Sequence, residues 1–446
     1  MTVYKPRYPV HIYLVVTFDP ADTLNMPHAE SENRPLRIAI AGGGIGGLCL
    51  AVGLVKQPHL DVHIYEGVAE YSDIGSGLAL HMNAIKGMDL IDPSIKKTYF
   101  AKALGMAEEA DKEMTTQVIL AAGPHMGEVV AELGRAKGRK TVARSDLLDG
   151  LLELLPKDRV TFGKKLETIK ESEEGVTLQF KDGTSAQADV MLGCDGVHSI
   201  TRAYLLGADH PATQPGNPDG WQVTNRMVPM DEALEAGVDE SCRHNVAILC
   251  GHAGHLNHMP LHMGKTLSIQ VVRRKGEDDG STTAKYDTKP WEDYSKEART
   301  FVELVSRDPT NSWVLQDHEH APYYNKGRIA MMGDAAHAAM PFVGNGAAQA
   351  IEDAAVLTAL LSRVHDTQQA EKALAAYDEV RRPRSQTVVE MGRDFGRMYG
   401  FALDNIHEDP DKMKAKFAKS AAFTNNFDVA GQNEKAVELY EARLKA

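Results

Sequence analysis

A chain of 446 residues with 43% hydrophobic and 25% charged residues can bury large cores in two or three domains, which sets aside wholesale disorder. Its formal charge of -13 sets aside a nucleic-acid scaffold, because phosphate backbones call for clustered Lys and Arg. Four widely spaced cysteines with no C-x-x-C pair argue against a disulfide framework and lead us to expect a cytoplasmic protein.

Residues 1–35 read as an N-terminal extension, with either residues 1–25 dispensable or translation beginning at Met26. The apolar run Val10–Phe18 is too short to span a membrane, and no later stretch reaches that length. From residue 36 the pattern becomes strand–turn–helix: an apolar run to Ala41, then Gly42-Gly43-Gly44-Ile45-Gly46-Gly47, then an apolar helix to about Gln57. In that context G-x-G-x-x-G is a dinucleotide-binding signature. Gly42 permits the tight turn, Gly44 lets a pyrophosphate approach the backbone, and Gly47 lets the helix lie close on the strand. The unpaired first amides of the helix favour a phosphate. A second strand runs from Asp61 to Tyr65 and is followed by Glu66, about 20 residues downstream, where a carboxylate accepts from ribose hydroxyls.

A Gly-rich turn (Gly75, Gly77) leads into a short helix. Arg144–Leu155 is helical by its leucine spacing, with Asp146 in the first turn. Short strands follow near 160, 166–170 and 176–180, and Lys181-Asp182-Gly183 makes a hairpin turn. Asp189–Cys194 and Arg328–Met332 are buried strands ending at Asp195-Gly196 and Gly333-Asp334. Between them, residues 216–318 are rich in strands and turns, with a single long helix expected over Trp291–Val305. A helix from Gly346 to Val364 and a charged helical tail complete the chain. Ligands of open α/β sheets lie beyond the carboxyl ends of strands, so the segments near 42–47, 195–196 and 333–334 are expected to converge on one extended ligand.

The ordered set Gly42–Gly47 with Glu66, Asp73–Gly77 with Asn83, Ala143–Leu147, Asp189–Arg202 and Gly333–Asp353 resembles the single-component FAD-dependent aromatic hydroxylases, within them the fungal salicylate-hydroxylase-like enzymes. Arg381-Arg382-Pro383-Arg384 supports that subgroup. The resemblance implies an α/β fold of para-hydroxybenzoate hydroxylase type: a Rossmann-like FAD-binding domain, an inserted β-sheet substrate domain and a helical C-terminus. The boundaries expected are 36–103, 141–215 and 319–365 for the discontinuous FAD domain, 104–140 and 216–318 for the substrate domain, and 366–446 for the helical region. Gly42, Gly44, Ile45 and Gly47 would form the phosphate turn, and Glu66 would bind the adenosine ribose. Ala79 would lie along the cofactor, Arg144 would meet its phosphates, and Asp195 would sit near the pyrophosphate. Asp334 would accept from the ribityl hydroxyls, and the backbone of Gly344–Ala347, Gly346 and Ala347 included, would face the flavin pyrimidine ring.

The activity implied is NAD(P)H- and O2-dependent hydroxylation of a small phenolic or aromatic acid through a flavin C4a-hydroperoxide. A 6-hydroxynicotinate-type or polyketide-phenol hydroxylase or dearomatase is an alternative, as is a non-oxygenating FAD reductase or dehydrogenase. NADH or NADPH would visit without a Rossmann domain of its own, since there is one G-x-G-x-x-G in strand–helix context. Candidate pocket residues are His81, Pro341 in the Pro341–Val343 loop, Arg226 and His258. His258 is read either as a general base near neutral pH or as a hydrogen-bonded core or surface histidine. Relatives carry Tyr-Arg before Val-Pro where this chain has Asn225-Arg226-Met227-Val228-Pro229, so either a bulge turns Arg226 inward or Asn225 takes its place. Relatives also carry Tyr-Pro where Met259-Pro260 stands, which favours conventional hydroxylation over dearomatisation. No metal is expected, because the histidines at 252, 255, 258 and 262 do not converge and no carboxylate accompanies them. We expect a monomer or homodimer.

Overall fold

A computed structural model describes residues 34–71, 77–103, 113–137, 141–274, 287–424 and 426–446. The extension at 1–33 and the Asp73–Ser76 part of the Gly-rich turn lie outside the described residues. Residues Pro35–Ala446 form one unit.

Leu36–Ala41 is buried at five of six positions, as befits a central parallel strand covered on both faces. It pairs in parallel with Leu60–Tyr65 on one side and Val190–Gly193 on the other. Ile329–Met331 extends the sheet beyond Val190–Gly193. The carboxyl ends of these strands deliver Gly42, Glu66, Cys194 and Met332 to one edge. The Ile45–Leu54 helix is buried along its whole length and lies against the Gly346–Leu361 helix. A three-stranded meander over 166–188 contains the hairpin read at Lys181–Gly183.

A second sheet of seven strands takes its strands from 113–137, 221–274 and 312–314. Trp221–Pro229 pairs residue for residue with Thr266–Arg274 without a bulge. Its back face packs on the Lys296–Ser306 helix, whose buried stripe includes Phe301, Val302 and Val305. That helix starts five residues later than the sequence suggests, because Ser295 caps it by accepting from the Ala298 amide at 3.3 Å. The tail forms helices Thr367–Tyr399, Pro410–Thr424 and Val429–Lys445.

Candidate active site

The glycines of the first turn are fixed by contact. A Cβ on Gly42, whose φ is +111°, would stand 2.2 Å from the Cys194 carbonyl oxygen, and one on Gly47 would stand 2.2 Å from the Gly42 oxygen. A Cβ on Gly44 would meet nothing within 4 Å. That residue caps the Ile45–Leu54 helix without a side-chain hydrogen bond, so the leading amides open onto the cleft. Both oxygens of Glu66 are engaged, accepting from Gly43 N at 2.6 Å and Val68 N at 2.9 Å. Asp195 turns into its own loop, where it accepts from Ser199 Oγ at 2.6 Å and Thr201 N at 2.9 Å. It therefore shapes the turn that carries Gly196, and Gly196, Val197 and His198 are the residues of this loop that face the cleft.

One cavity of about 790 Å³ runs from these glycines to the seven-stranded sheet. Gly44, Ile45, Gly47, Ala79, His81, Arg144, Asp334, Pro341, Gly346 and Ala347 all border it. Gly344, with φ +64°, ends the Pro341–Val343 turn, and the Gly346–Leu361 helix follows, again without a side-chain cap. Two uncapped helix N-termini and an open space over Gly44 are what a long, phosphate-bearing cofactor requires. These residues fit FAD, which would place its pyrophosphate at the 42–47 turn and its flavin end near Asp334 and the 344–347 backbone.

Behind these loops lies a buried ionic brace. Arg381 donates to Asp353 at 2.7 Å, to Glu352 at 2.6 Å and to Gln432 at 3.0 Å. Asp353 accepts from the Gly333 amide at 2.8 Å and pairs with His337 at 2.6 Å. Glu352 accepts from Asn83 at 2.7 Å and from Arg384. Asn83 and Gln349 both donate to Asn345 Oδ1. Burial alone would raise the pKa of Asp353, but His337 and Arg381 hold it down at about 2.

The sheet wall corrects two of the expected residues. Strand alternation puts Arg226 on the back face, where it donates to the Leu304 carbonyl at 2.7 Å and pairs with Glu232 at 3.0 Å. The unbroken ladder leaves no bulge to turn it round, so Asn225 takes the cavity-side face, 1% exposed. His258 borders the cavity, but its ring turns to the back face, 5.0 Å from Phe301 and with Nε2 3.9 Å from Cys242 Sγ. Burial lowers its pKa to about 4. Cys242, His258 and Glu297 are close enough to ligate an ion, but His258 Nδ1 lacks the hydrogen-bond partner that orients a metal-bound imidazole.

On the sheet wall the histidine whose ring takes the cavity side is His255, to which the sequence analysis gave no role. Its ring lies 5.0 Å from Phe342, 5.1 Å from Tyr399 and 6.1 Å from Trp221. It is 2% exposed, Nδ1 has no partner, and burial lowers its pKa to about 3. Asn257, Met259, Ser268 and Gln270 continue the same wall.

His255, His258 and His318 are all buried, and burial holds them neutral, with pKa values of about 3, 4 and 3. The unfolded chain protonates each near pH 6.5, so below that pH it binds more protons than the native chain. Stability is therefore full above about pH 6.5 and falls toward pH 4, by roughly 4 kcal/mol per pH unit once all three are titrating. Thermal melts of the protein from pH 8 to 4.5 should show a flat plateau and then a steep fall beginning near 6.5. A melting temperature constant down to pH 5 would contradict this.

A family model described as FAD binding domain matches residues 36–392. The chain is 36% identical over 417 residues to 6-methylsalicylate 1-monooxygenase atA of Aspergillus terreus (strain NIH 2624 / FGSC A1156), covering 90% of this chain and 92% of that protein. It is 31% identical to the FAD-dependent monooxygenase pigN of Monascus ruber, covering 94% and 100%. Among solved structures, a salicylate hydroxylase substrate complex superposes with a TM-score of 0.74 at 27% identity, covering 90% of this chain and 98% of that one. Among the described residues no helix is long and apolar enough to cross a membrane.

Proposed function

The chain belongs to the FAD binding domain family and is an FAD-dependent monooxygenase of the aromatic-hydroxylase type, and on that premise we propose that its substrate is a small phenolic acid related to salicylate. The observation that supports this reading is the continuity of one cavity from the phosphate turn to the His255 wall. Bound FAD supplies the electron transfer and the activated oxygen, with NADH or NADPH as transient reductant and O2 as co-substrate.

The chain's own part is to orient the ring and keep the site dry. Trp221, Phe342, Val343 and Tyr399 are buried around the junction of loop and sheet. A water-poor site protects reactive oxygen species and strengthens polar contacts. His255 is neutral throughout the physiological range, so it serves as a hydrogen-bond partner for a phenol rather than as a titrating base. Arg144, Asp334 and the uncapped amides at 45–47 and 346–347 are assigned to the cofactor, and His81 and Pro341 to the boundary between flavin and ring. Without an arginine or tyrosine on the wall at 225–226 and 259, hydroxylation, with or without loss of carboxylate, is preferred to dearomatisation. A cytoplasmic monomer or homodimer completes the reading.

A panel of hydroxybenzoates, hydroxynicotinates and acylphenols, each offered to the FAD-loaded protein with NADH or NADPH, tests it. Stimulated reductant oxidation with a hydroxylated product from the ortho-hydroxybenzoates is expected. A response confined to hydroxynicotinates, or none at all, would reject the substrate class.

A further inference from the structure

Three amide side chains lie in one row across the sheet. The ladder aligns Asn225 with Gln270 and Gln270 with Asn257, and residues directly opposite one another share a face. That face is the cavity face, since Gln270, Asn257 and the neighbouring Ser268 and Met259 border the cavity. Asn257 Nδ2 donates to Gln270 Oε1 at 3.0 Å. Ser268 Oγ donates to Asn225 Oδ1 at 3.2 Å, and Asn225 Nδ2 is buried without a partner. A row of amides is an expensive choice beside Val223, Val246, Ile248 and Val272 on the same wall, because buried polar groups cost free energy unless they are matched.

The Asn257–Gln270 pair has a property that does not depend on how its amides are turned. One amide gives its N–H and the other its oxygen to their mutual bond, so the pair always keeps one NH2 donor and one carbonyl acceptor for something else. Both side chains are half-buried at the cavity rim, where a ring can reach them. We infer that Asn257 and Gln270 together read an ortho-hydroxy-carbonyl edge: the phenol hydroxyl donates to the free amide oxygen and the adjacent carbonyl or carboxylate oxygen accepts from the free NH2.

This rests on the salicylate-like reading of the same cavity and adds its specificity residues. The recognition is by donor and acceptor, not by charge. Among the described residues of the sheet wall no Lys or Arg borders the cavity, so a carboxylate has no counter-ion there. A neutral ortho-hydroxy amide or ketone satisfies the same pair.

The test compares salicylate, benzoate, 4-hydroxybenzoate and salicylamide on the FAD-loaded wild type and on Asn257→Leu and Gln270→Met. Binding is read from the flavin difference spectrum, and turnover from KM and kcat. In the wild type, salicylamide should bind within about tenfold of salicylate, while benzoate and 4-hydroxybenzoate should fall behind by about a hundredfold or more, as a site built for a hydroxyl rejects analogues lacking it. Asn257→Leu should shrink the salicylate-over-benzoate ratio at least about tenfold, and Gln270→Met should raise KM for salicylate and salicylamide alike, with the flavin spectrum of the free enzymes unchanged. Unchanged selectivity in both variants, or a strict demand for the carboxylate, would overturn the inference while leaving the enzyme's aromatic activity standing. A wild type that responds to none of the four would instead reject the underlying substrate class.

Discussion

Gly44→Val is expected to yield a folded protein that no longer retains FAD. A Cβ at Gly44 meets nothing within 4 Å, and the residue's φ of -70° and ψ of -179° suit any L side chain, so the substitution brings no strain to the polypeptide itself. Its methyls instead occupy the space through which a pyrophosphate must approach the leading amides of the Ile45–Leu54 helix. We expect circular dichroism unchanged from that of the apo wild type and FAD affinity lower by about a hundredfold or more, equivalent to ~2.7 kcal/mol. Gly47→Val is the contrasting control: its Cβ would lie 2.2 Å from the Gly42 carbonyl oxygen, so it damages the fold as well. Fluorescence titration of each apoprotein with FAD separates the two. A Gly44→Val protein that binds FAD like the wild type would show that the cofactor does not cross this turn.

Arg381→Met is the second large effect. Arg381 is wholly buried and donates to two carboxylates, to Gln432 and to both oxygens of Gln349. Removing one partner of such a buried cluster leaves charges without their counterpart, a loss of about 3–5 kcal/mol. The consequence reaches the cofactor loops, because Asp353 holds the Gly333 amide, and Glu352, through Asn83 and Gln349, holds Asn345 at the head of the 346–361 helix. Lower chemical-denaturation stability and weaker FAD retention are therefore expected together. Arg382→Met, one residue along, breaks only a half-exposed pair with Asp378 and should cost no more than about 1 kcal/mol. Equal stability of the two variants would contradict the brace.

The cofactor half of the cavity was legible because its signals are local. A turn that only glycine fits, strands ending in Asp-Gly or Gly-Asp, and helices opening without caps all appear in short windows of sequence. The substrate wall was not, because it depends on which face each strand presents. Met259 stands where relatives carry a tyrosine, and alternation along the strand places His255 and Asn257 on its face and His258 on the other. His258, next to Met259 in the chain, has to turn its side chain to the opposite face. For Arg226 the sequence left two outcomes, and only the unbroken ladder to Thr266–Arg274 decides between them. Gln270 and Ser268 carry no local signal, since their place on the wall comes from pairing with strands 13 and 43 residues earlier in the chain. The ionic brace was seen only as the motif Arg381–Arg384; its carboxylate partners sit 28 to 32 residues upstream on another helix.

One measurement bears most directly on the claim that a single cavity joins FAD to an aromatic ring. The FAD-loaded protein is given salicylate and NADH or NADPH under 18O2, and the product is analysed by mass spectrometry. The account predicts a product carrying one labelled oxygen on the ring, formed with reductant consumption that depends on the aromatic compound. Reductant consumption indifferent to the aromatic compound, with no label entering any ring, would contradict it.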